Sequence, residues 1–265
     1  MNLYNSEIIE NKKLAKDIFK LKIEKADGER WEPGNFAMIL PELKDGFFSL
    51  RRAFSIFSLT DNSIEFLIKK VGKITTILEG MRVGEKISYI GPLGTSFEMP
   101  RHDTVNTIMI AGGLGIAPLH FLAQEYVKKE YNFKLLYGAN TITELISFEA
   151  DDSLNKKIIY ATEDGSYGYK GKVTELLDEI LKNDKSDSSL YACGPFMMLY
   201  NLHKEQRKFF GKIQVSVEAV MGCGFGVCRG CAIPMKDNTY KMACKDGPIF
   251  DLNEIGWDEW YRIYQ

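Results

Sequence analysis

The chain has 265 residues, enough for two domains and a smaller third module at roughly 150 residues per domain. A composition 45% hydrophobic and 26% charged is that of an ordinary globular protein and excludes a disordered, collagen-like or coiled-coil chain. With 34 Lys and Arg against 36 Asp and Glu, the net charge of −2 provides no general attraction for nucleic acid or anionic lipid, so neither is expected as a partner.

From Leu3 to about Met99 the chain reads as short strands. Ile18–Ile23 and Ile64–Val71 are alternating or β-branched runs, and turn residues cluster at Pro33-Gly34-Asn35, Asp61-Asn62 and Gly91-Pro92-Leu93-Gly94. Short strands with frequent turns predict a barrel or sandwich over residues 1–99.

Past Pro100 strands alternate with helices. A buried strand is expected over Thr104–Ala111, then Gly112-Gly113-Leu114-Gly115 and a helix from Ala117 to about Lys129. Strands follow at Phe133–Tyr137 and Ile158–Tyr160, a helix at Val173–Leu181, and a strand at Leu190–Ala192 that runs into Cys193-Gly194-Pro195. This alternation predicts a parallel-sheet α/β domain over residues 100–210. The longest apolar stretch, Ile108–Leu119, contains three glycines and a proline and falls well short of the ~18 residues of a membrane span.

Residues 211–265 form a remainder rich in loops, glycine and cysteine, too small to bury much apolar area alone. A bound metal would supply the missing constraint. Of five cysteines, Cys193 stands apart while Cys223, Cys228, Cys231 and Cys244 fall close together. The odd count, with no export signal recognisable at the start, points to a reducing, cytoplasmic setting and to metal binding over disulfides. The spacing C-x4-C-x2-C with a distal fourth cysteine, beyond a hairpin turning at Asp237-Asn238, is the plant-type pattern for a [2Fe–2S] cluster. Four interleaved glycines, Gly222, Gly224, Gly226 and Gly230, suit a loop that wraps closely and aims N–H groups at sulfur. Structural zinc also takes four thiolates, but zinc ribbons present two C-x2-C pairs and this chain has one; zinc and free thiols stay as alternatives.

The run Ala111 to Pro118, following a buried strand and opening a helix, lets backbone approach a pyrophosphate at a helix N-terminus. Its spacing, G-G-x-G-x-x-P, departs from the dinucleotide fingerprint, and a glycine turn that binds nothing is the alternative.

Taken together, these pieces resemble, over essentially the whole length, the electron-transfer subunit of two-component NAD-dependent dihydroorotate dehydrogenases, a branch of the ferredoxin–NADP reductase superfamily. The resemblance implies an antiparallel β-barrel binding FAD, a parallel-sheet domain binding NAD, and a C-terminal [2Fe–2S] module. Arg52-Ala53-Phe54-Ser55 is similar to the family's Arg-Pro-x-Ser flavin motif, with Ala53 replacing proline. Gly72-Lys73-Ile74-Thr75, preceded by Leu67-Ile68-Lys69, resembles a second flavin segment ending Gly-x-Gly-Thr, with Ile74 replacing the second glycine. Lys73 and the hydroxyls of Thr75 and Thr76 would add to the phosphate contacts. Gly112, Gly113, Gly115 and Pro118 resemble the nicotinamide-nucleotide loop, and Cys193, Gly194 and Pro195 the turn beside the nicotinamide. In the similar stretch Thr162 to Gly171, Glu163 and Asp164 would disfavour a 2′-phosphate, which favours NAD over NADP. Cys223, Cys228, Cys231 and Cys244, followed by Asp246-Gly247-Pro248, match the cluster module.

What the resemblance implies for function is a chain of carriers: NAD(H), FAD, [2Fe–2S], and an FMN on a catalytic partner that oxidises dihydroorotate to orotate in pyrimidine biosynthesis, the whole a heterotetramer. A flavin must stand between hydride and single-electron chemistry. No catalytic acid–base constellation is present: His102, His120 and His203 are scattered and read as ordinary surface or helix residues. Trp257 and Trp260 read either as part of a partner interface or as packing on the cluster loop. The chain is also similar to small subunits of NADH-dependent ferredoxin–NADP oxidoreductases and anaerobic sulfite reductases; the bifurcating group has aspartate as first cluster ligand where this chain has Cys223. A non-catalytic redox sensor is the alternative from another class.

Overall fold

A computed structural model describes residues 2–42, 49–100, 106–148, 152–183, 188–205 and 212–264. In chain order the first elements are β1 (Asn2–Ala15), β2 (Ile18–Glu24), β3 (Phe36–Pro41), β4 (Arg52–Leu59), β5 (Ser63–Lys69), α1 (Lys73–Gly80) and β6 (Lys86–Leu93). The six strands close a barrel in the order β1-β2-β5-β4-β3-β6, antiparallel throughout. The open choice between barrel and sandwich is thereby resolved. Alternation builds it: on β3, Ala37 and Ile39 join the barrel core with Leu21, Ile56 and Phe66, while Phe36 and Met38 enter a second core. A strand apolar on both faces closes the barrel with one and docks a neighbour with the other. Reading residues 1–99 as strands passed over α1, because eight residues give two turns, too few for a 3.6-residue period to show.

The second layer comprises β7 (Asn106–Gly112), α2 (Ile116–Lys128), β8 (Lys134–Ala139), α3 (Asp152–Asn155), β9 (Ile158–Thr162), β10 (Tyr169–Lys170), α4 (Val173–Asn183), β11 (Ser188–Cys193), α5 (Phe196–Glu205) and β12 (Ile213–Ser216). The C-terminal elements are β13 (Ala232–Pro234), β14 (Tyr240–Met242), β15 (Ile249–Asp251) and α6 (Trp257–Tyr264). A seven-stranded sheet runs β10-β9-β8-β7-β11-β12-β15, parallel except where β15 meets β12. The start of the strand expected from Thr104, and His102, lie outside the described residues. No described helix is long and apolar enough to cross a membrane.

Sequence placed β12 and β15 in the third module, yet both extend the α/β sheet: β12 pairs with β11 from Leu190↔Ile213 to Cys193↔Ser216, and β15 pairs with β12. Local pattern shows a strand; only tertiary pairing decides which sheet it joins. The remainder of the module is the β13–β14 hairpin, turning at Asn238 with φ +63, and the cysteine loop before it.

The layers interlock through specific bonds. His120 on α2, read as an ordinary helix residue, is buried against the barrel: its Nδ1 bonds the Phe57 carbonyl at 2.8 Å, so Nδ1 carries the proton, and its ring stacks on Phe57 at 4.1 Å. Thr95, just after β6, donates its N–H to the Gly247 carbonyl at 2.6 Å, and its hydroxyl accepts the Ile249 N–H at 3.2 Å. Trp257 is buried among Phe196, His203 and Trp260, with Nε1 donating to the Leu252 carbonyl at 2.8 Å. It therefore packs on α5, and that aromatic cluster ties the chain's last helix to the sheet.

Candidate functional site

Three sets of residues gather at the joints of this architecture. The first is a crevice at the carboxyl ends of β7 and β11. From β7 the chain proceeds one way to β8, β9 and β10 and then crosses to β11 on the other side, so the strand order reverses there. In an open parallel sheet such a switch point leaves a crevice for a ligand. Gly112 ends β7, Gly113–Gly115 form one turn of 3-10 helix, and α2 begins at Ile116 with no carboxylate in its first turn. The paired strand β11 ends at Cys193, opposite Ala111. A Cβ on Gly115 would stand 2.0 Å from the Cys193 carbonyl oxygen, and one on Gly112 would stand 2.7 Å from Met198 Sδ and 3.0 Å from Pro195 Cδ. Two motifs eighty residues apart in the sequence thus meet in backbone contact, which only glycine allows. Gly113, at φ +53 with nothing within 4 Å of its Cβ direction, faces open space. Bare backbone N–H groups at a helix N-terminus fit an anionic dinucleotide.

The thiol of Cys193 is buried, which pushes its pKa far up; Glu218 raises it further and the Ser216 side chain offsets a little. It is a neutral thiol, not a nucleophile or a metal ligand. Ser216 and Glu218 were missed as neighbours of this crevice because β12 was assigned elsewhere. Two strands along, Thr162 ends β9 and a tight turn follows. Thr162 Oγ1 donates to the Tyr167 carbonyl at 2.7 Å, and Asp164 accepts Ser166 N–H and Oγ–H at 2.9 and 2.6 Å, which holds its carboxyl below the ordinary value. Glu163 and Asp164 are both exposed there.

The second set lies on the barrel. Antiparallel pairing of β4 with β5 runs the start of β4 beside the end of β5, bringing Arg52 toward the entry to α1. Arg52 is exposed, and among the described residues it bonds nearby carbonyls, Leu50 at 2.7 Å and Arg51 at 3.3 Å. Ala53 and Ser55 occupy the outer face of β4, in register with Met38 and Phe36. At the start of α1, Gly72, Lys73 and Thr76 are exposed, with no acidic residue in the first turn. Thr75 behaves differently: its Oγ1 accepts the N–H of Val71 and of Gly72 at 3.0 Å each and donates to the Gly72 carbonyl at 3.0 Å. Its hydroxyl is occupied within the turn, and of the two threonines Thr76 is the one left outside. Ile68 and Ile74 belong to the barrel core, Leu67 faces the α/β domain, and Lys69 is exposed. The residues that remain outside, Arg52, Lys69 and Lys73 together with a helix N-terminus, fit a pyrophosphate.

The third set is the cysteine loop. Gly224 and Gly226 have φ +88 and +86, and Arg229 has φ +56, so three left-handed residues curl the chain around the thiols. The cysteines sort into two pairs. Cys231 and Cys244 are buried with Sγ atoms 3.2 Å apart, while the Cys228 N–H donates to Cys223 Sγ at 3.5 Å nearer the surface. Further N–H groups point at sulfur: Gly226 to Cys244 at 3.0 Å and Cys244 to Cys231 at 3.5 Å. Burial works to raise Cys223, but N–H groups of Cys228, Phe225 and Val227 outweigh it and set the thiol at about 6. Cys244 is pushed up to about 12 by burial and by the Cys231 thiol. A cation bound between them would deprotonate both thiols. Among the described residues no three Cys, His, Asp or Glu side chains converge on one point; two pairs suit two irons, whereas a single zinc requires all four thiolates on one ion.

Comparison with known proteins now decides the family. Residues 218–256 match the profile of the iron-sulfur cluster binding domain of dihydroorotate dehydrogenase B, and residues 109–204 that of the oxidoreductase NAD-binding domain. The electron transfer subunit homolog of dihydroorotate dehydrogenase B (NAD(+)) from Aquifex aeolicus (strain VF5) is 32% identical over 257 residues, 95% of this chain and 97% of that protein. The electron transfer subunit from Geobacillus sp. (strain WCH70) is 34% identical over 255 residues, 94% and 96% of the two chains. The chain belongs to this family of electron-transfer subunits. Among solved structures, that of NADH-dependent reduced ferredoxin-NADP oxidoreductase, studied for flavin-based electron bifurcation, superposes with a TM-score of 0.85 at 29% identity, covering 97% of this chain and 91% of that one. A ferredoxin NADP+ reductase from Neisseria gonorrhoeae with bound FAD and NADP shares the fold, with a TM-score of 0.66 at 17% identity over 82% of this chain and all of that one.

Membership accounts for an electron-transfer subunit built of a barrel, an NAD-binding domain and an iron–sulfur domain in that order. The profile matches put the cysteine loop in the iron–sulfur domain and both glycine-bearing strand ends in the NAD-binding domain.

Proposed function

We propose that this chain passes electrons between NAD and a catalytic dihydroorotate dehydrogenase subunit carrying FMN, through FAD and a [2Fe–2S] cluster of its own, within a cytoplasmic heterotetramer. The observation that carries this reading is the seating of the cysteine loop on the barrel: Gly224 packs on Met38 and Leu93, beside the strand that bears Arg52 and Ser55. A flavin site and a cluster site thus share one wall.

When bound, the flavin converts a hydride into single electrons that an iron–sulfur cluster can carry. The rest is the work of the chain's residues. Gly112, Gly113, Gly115 and the N-terminus of α2 hold the nucleotide's pyrophosphate, and Gly194 and Pro195 form the wall beside the nicotinamide. Glu163 and Asp164 repel a 2′-phosphate, which selects NAD. Arg52, Lys73 and the N–H groups at the start of α1 hold the flavin pyrophosphate, and Ser55 offers a hydroxyl at the ring edge. Cys223, Cys228, Cys231 and Cys244 hold the cluster by twos. Cys228, exposed with Val227 beside it, is where the partner docks.

The test is biochemical composition with selective activity. Purified protein should carry FAD and two irons per chain, reduce artificial dyes with NADH, and oxidise dihydroorotate only after the catalytic subunit is added. Dihydroorotate turnover by the chain alone would contradict the reading. The close match to the NADH-dependent ferredoxin–NADP oxidoreductase structure supports a second reading, a subunit of such an enzyme. A co-purifying partner that lacks dihydroorotate activity and contains further iron–sulfur clusters would favour it.

A further inference from the structure

The contact between cysteine loop and barrel centres on Met38, with Leu93 beside it. Met38 is wholly buried on the face of β3 turned away from the barrel core. Its register partner on β4 is Ala53, in the middle of the segment assigned above to the flavin; directly opposed residues carry their side chains on one face, about 4.5–5.5 Å apart. From the other side Gly224 meets Met38 so closely that a Cβ there would stand 2.4 Å from Met38 Cγ and 3.1 Å from Sδ, with Leu93 Cδ1 at 3.3 Å. Gly224 directly follows Cys223, and Ala53 packs against the same core that contains Cys231 and Cys244. One methionine therefore touches the strand of the flavin segment and the loop of the first cluster thiol.

We propose that Met38 is a positioning residue that sets the separation between the flavin site and the cluster. A thioether chain is unbranched and fills an irregular gap. Its close packing leaves the loop one seat on β3, and the rate at which a single electron passes between two centres falls steeply as they move apart. The inference rests on the carrier order proposed above.

Met38→Ala, Met38→Val and Met38→Leu, each in the full chain, provide the test. In Met38→Ala, truncation leaves a cavity under the loop, so amide hydrogen exchange across residues 222–230 should accelerate by about tenfold or more in the purified protein. FAD and iron content and the rate of flavin bleaching by NADH should stay at wild-type values, while bleaching of the cluster should slow severalfold relative to wild type. Met38→Leu, which conserves volume, should restore both rates. Met38→Val should show the same order of effects at reduced size, and it decides the matter if the alanine variant does not accumulate. Unchanged exchange and unchanged cluster bleaching in the truncated variants would overturn the inference, as would equal slowing in Met38→Leu. Absence of flavin from the wild-type protein would instead overturn the carrier order on which it stands.

Discussion

At the scale of single residues, chemistry and position can be separated. Glu163 and Asp164 are fixed by the turn after β9, and Asp164 is anchored by Ser166. Their negative charge is expected to make NADH the preferred donor over NADPH. Glu163→Arg should narrow that preference by about tenfold, read as the ratio of kcat/KM for the two nucleotides, since a nearby charge reversal is worth about 1–2 kcal/mol at an exposed site; an unchanged ratio would show that the adenosine ribose lies elsewhere. Gly115→Ala places a Cβ 2.0 Å from the Cys193 carbonyl oxygen. It should destabilise the α/β domain by about 1–3 kcal/mol and raise KM for NADH while leaving iron content intact. Glu29 tests a different point. Its carboxyl accepts Tyr89 O–H at 2.9 Å and Trp31 Nε1–H at 3.2 Å, and burial nevertheless raises its pKa above the ordinary 4.5. A raised acid binds its proton more tightly folded than unfolded, so its contribution is greatest at low pH and declines as pH rises from 4.5 through the raised value. Glu29→Gln should flatten that decline, measured as the difference in unfolding free energy between wild type and variant across pH 4 to about 8.

Elements show which signals travel through sequence and which do not. The barrel and the α/β domain were legible because turn residues bound the strands and because Ile108–Ala111, within the strand expected over Thr104–Ala111, and Leu190–Ala192 are continuous apolar runs. Cysteine spacing alone identified the metal loop, since plant-type ligation fixes the intervals between thiols. By contrast, the two-by-two sorting of those thiols, the occupied hydroxyl of Thr75 and the sheet membership of β12 follow from contacts between distant segments. The same holds for α1, whose C-terminal end is held from β1: Asn11 Nδ2 donates to the carbonyls of Leu78 at 2.8 Å, Glu79 at 3.2 Å and Met81 at 2.9 Å. One amide thus serves two of the carbonyls that a helix end leaves open, Leu78 and Glu79, and that of the cap residue Met81. Asn11→Ala should cost about 1–2 kcal/mol in stability and weaken FAD binding by apo-protein, because the phosphate-facing end of α1 loses its anchor at the other end. Equal FAD affinity in a titration followed by flavin fluorescence would contradict this.

For the whole molecule, each joint between layers coincides with one of the proposed sites. The strand-order reversal forms the crevice proposed for the nucleotide, the outer barrel face carries the segment proposed for the flavin, and the cysteine loop closes on that face through Gly224. Near-neutral charge suits a protein whose ligands are two dinucleotides and another protein. The central claim is that hydride and single-electron carriers are coupled in one chain, and an anaerobic titration with NADH, followed by visible absorbance, tests it most directly. A two-electron flavin and a one-electron cluster should together consume about 1.5 NADH per chain, with flavin and cluster bands both bleaching. An end point at about one NADH with the cluster band unchanged, or no bleaching at all, would contradict the account.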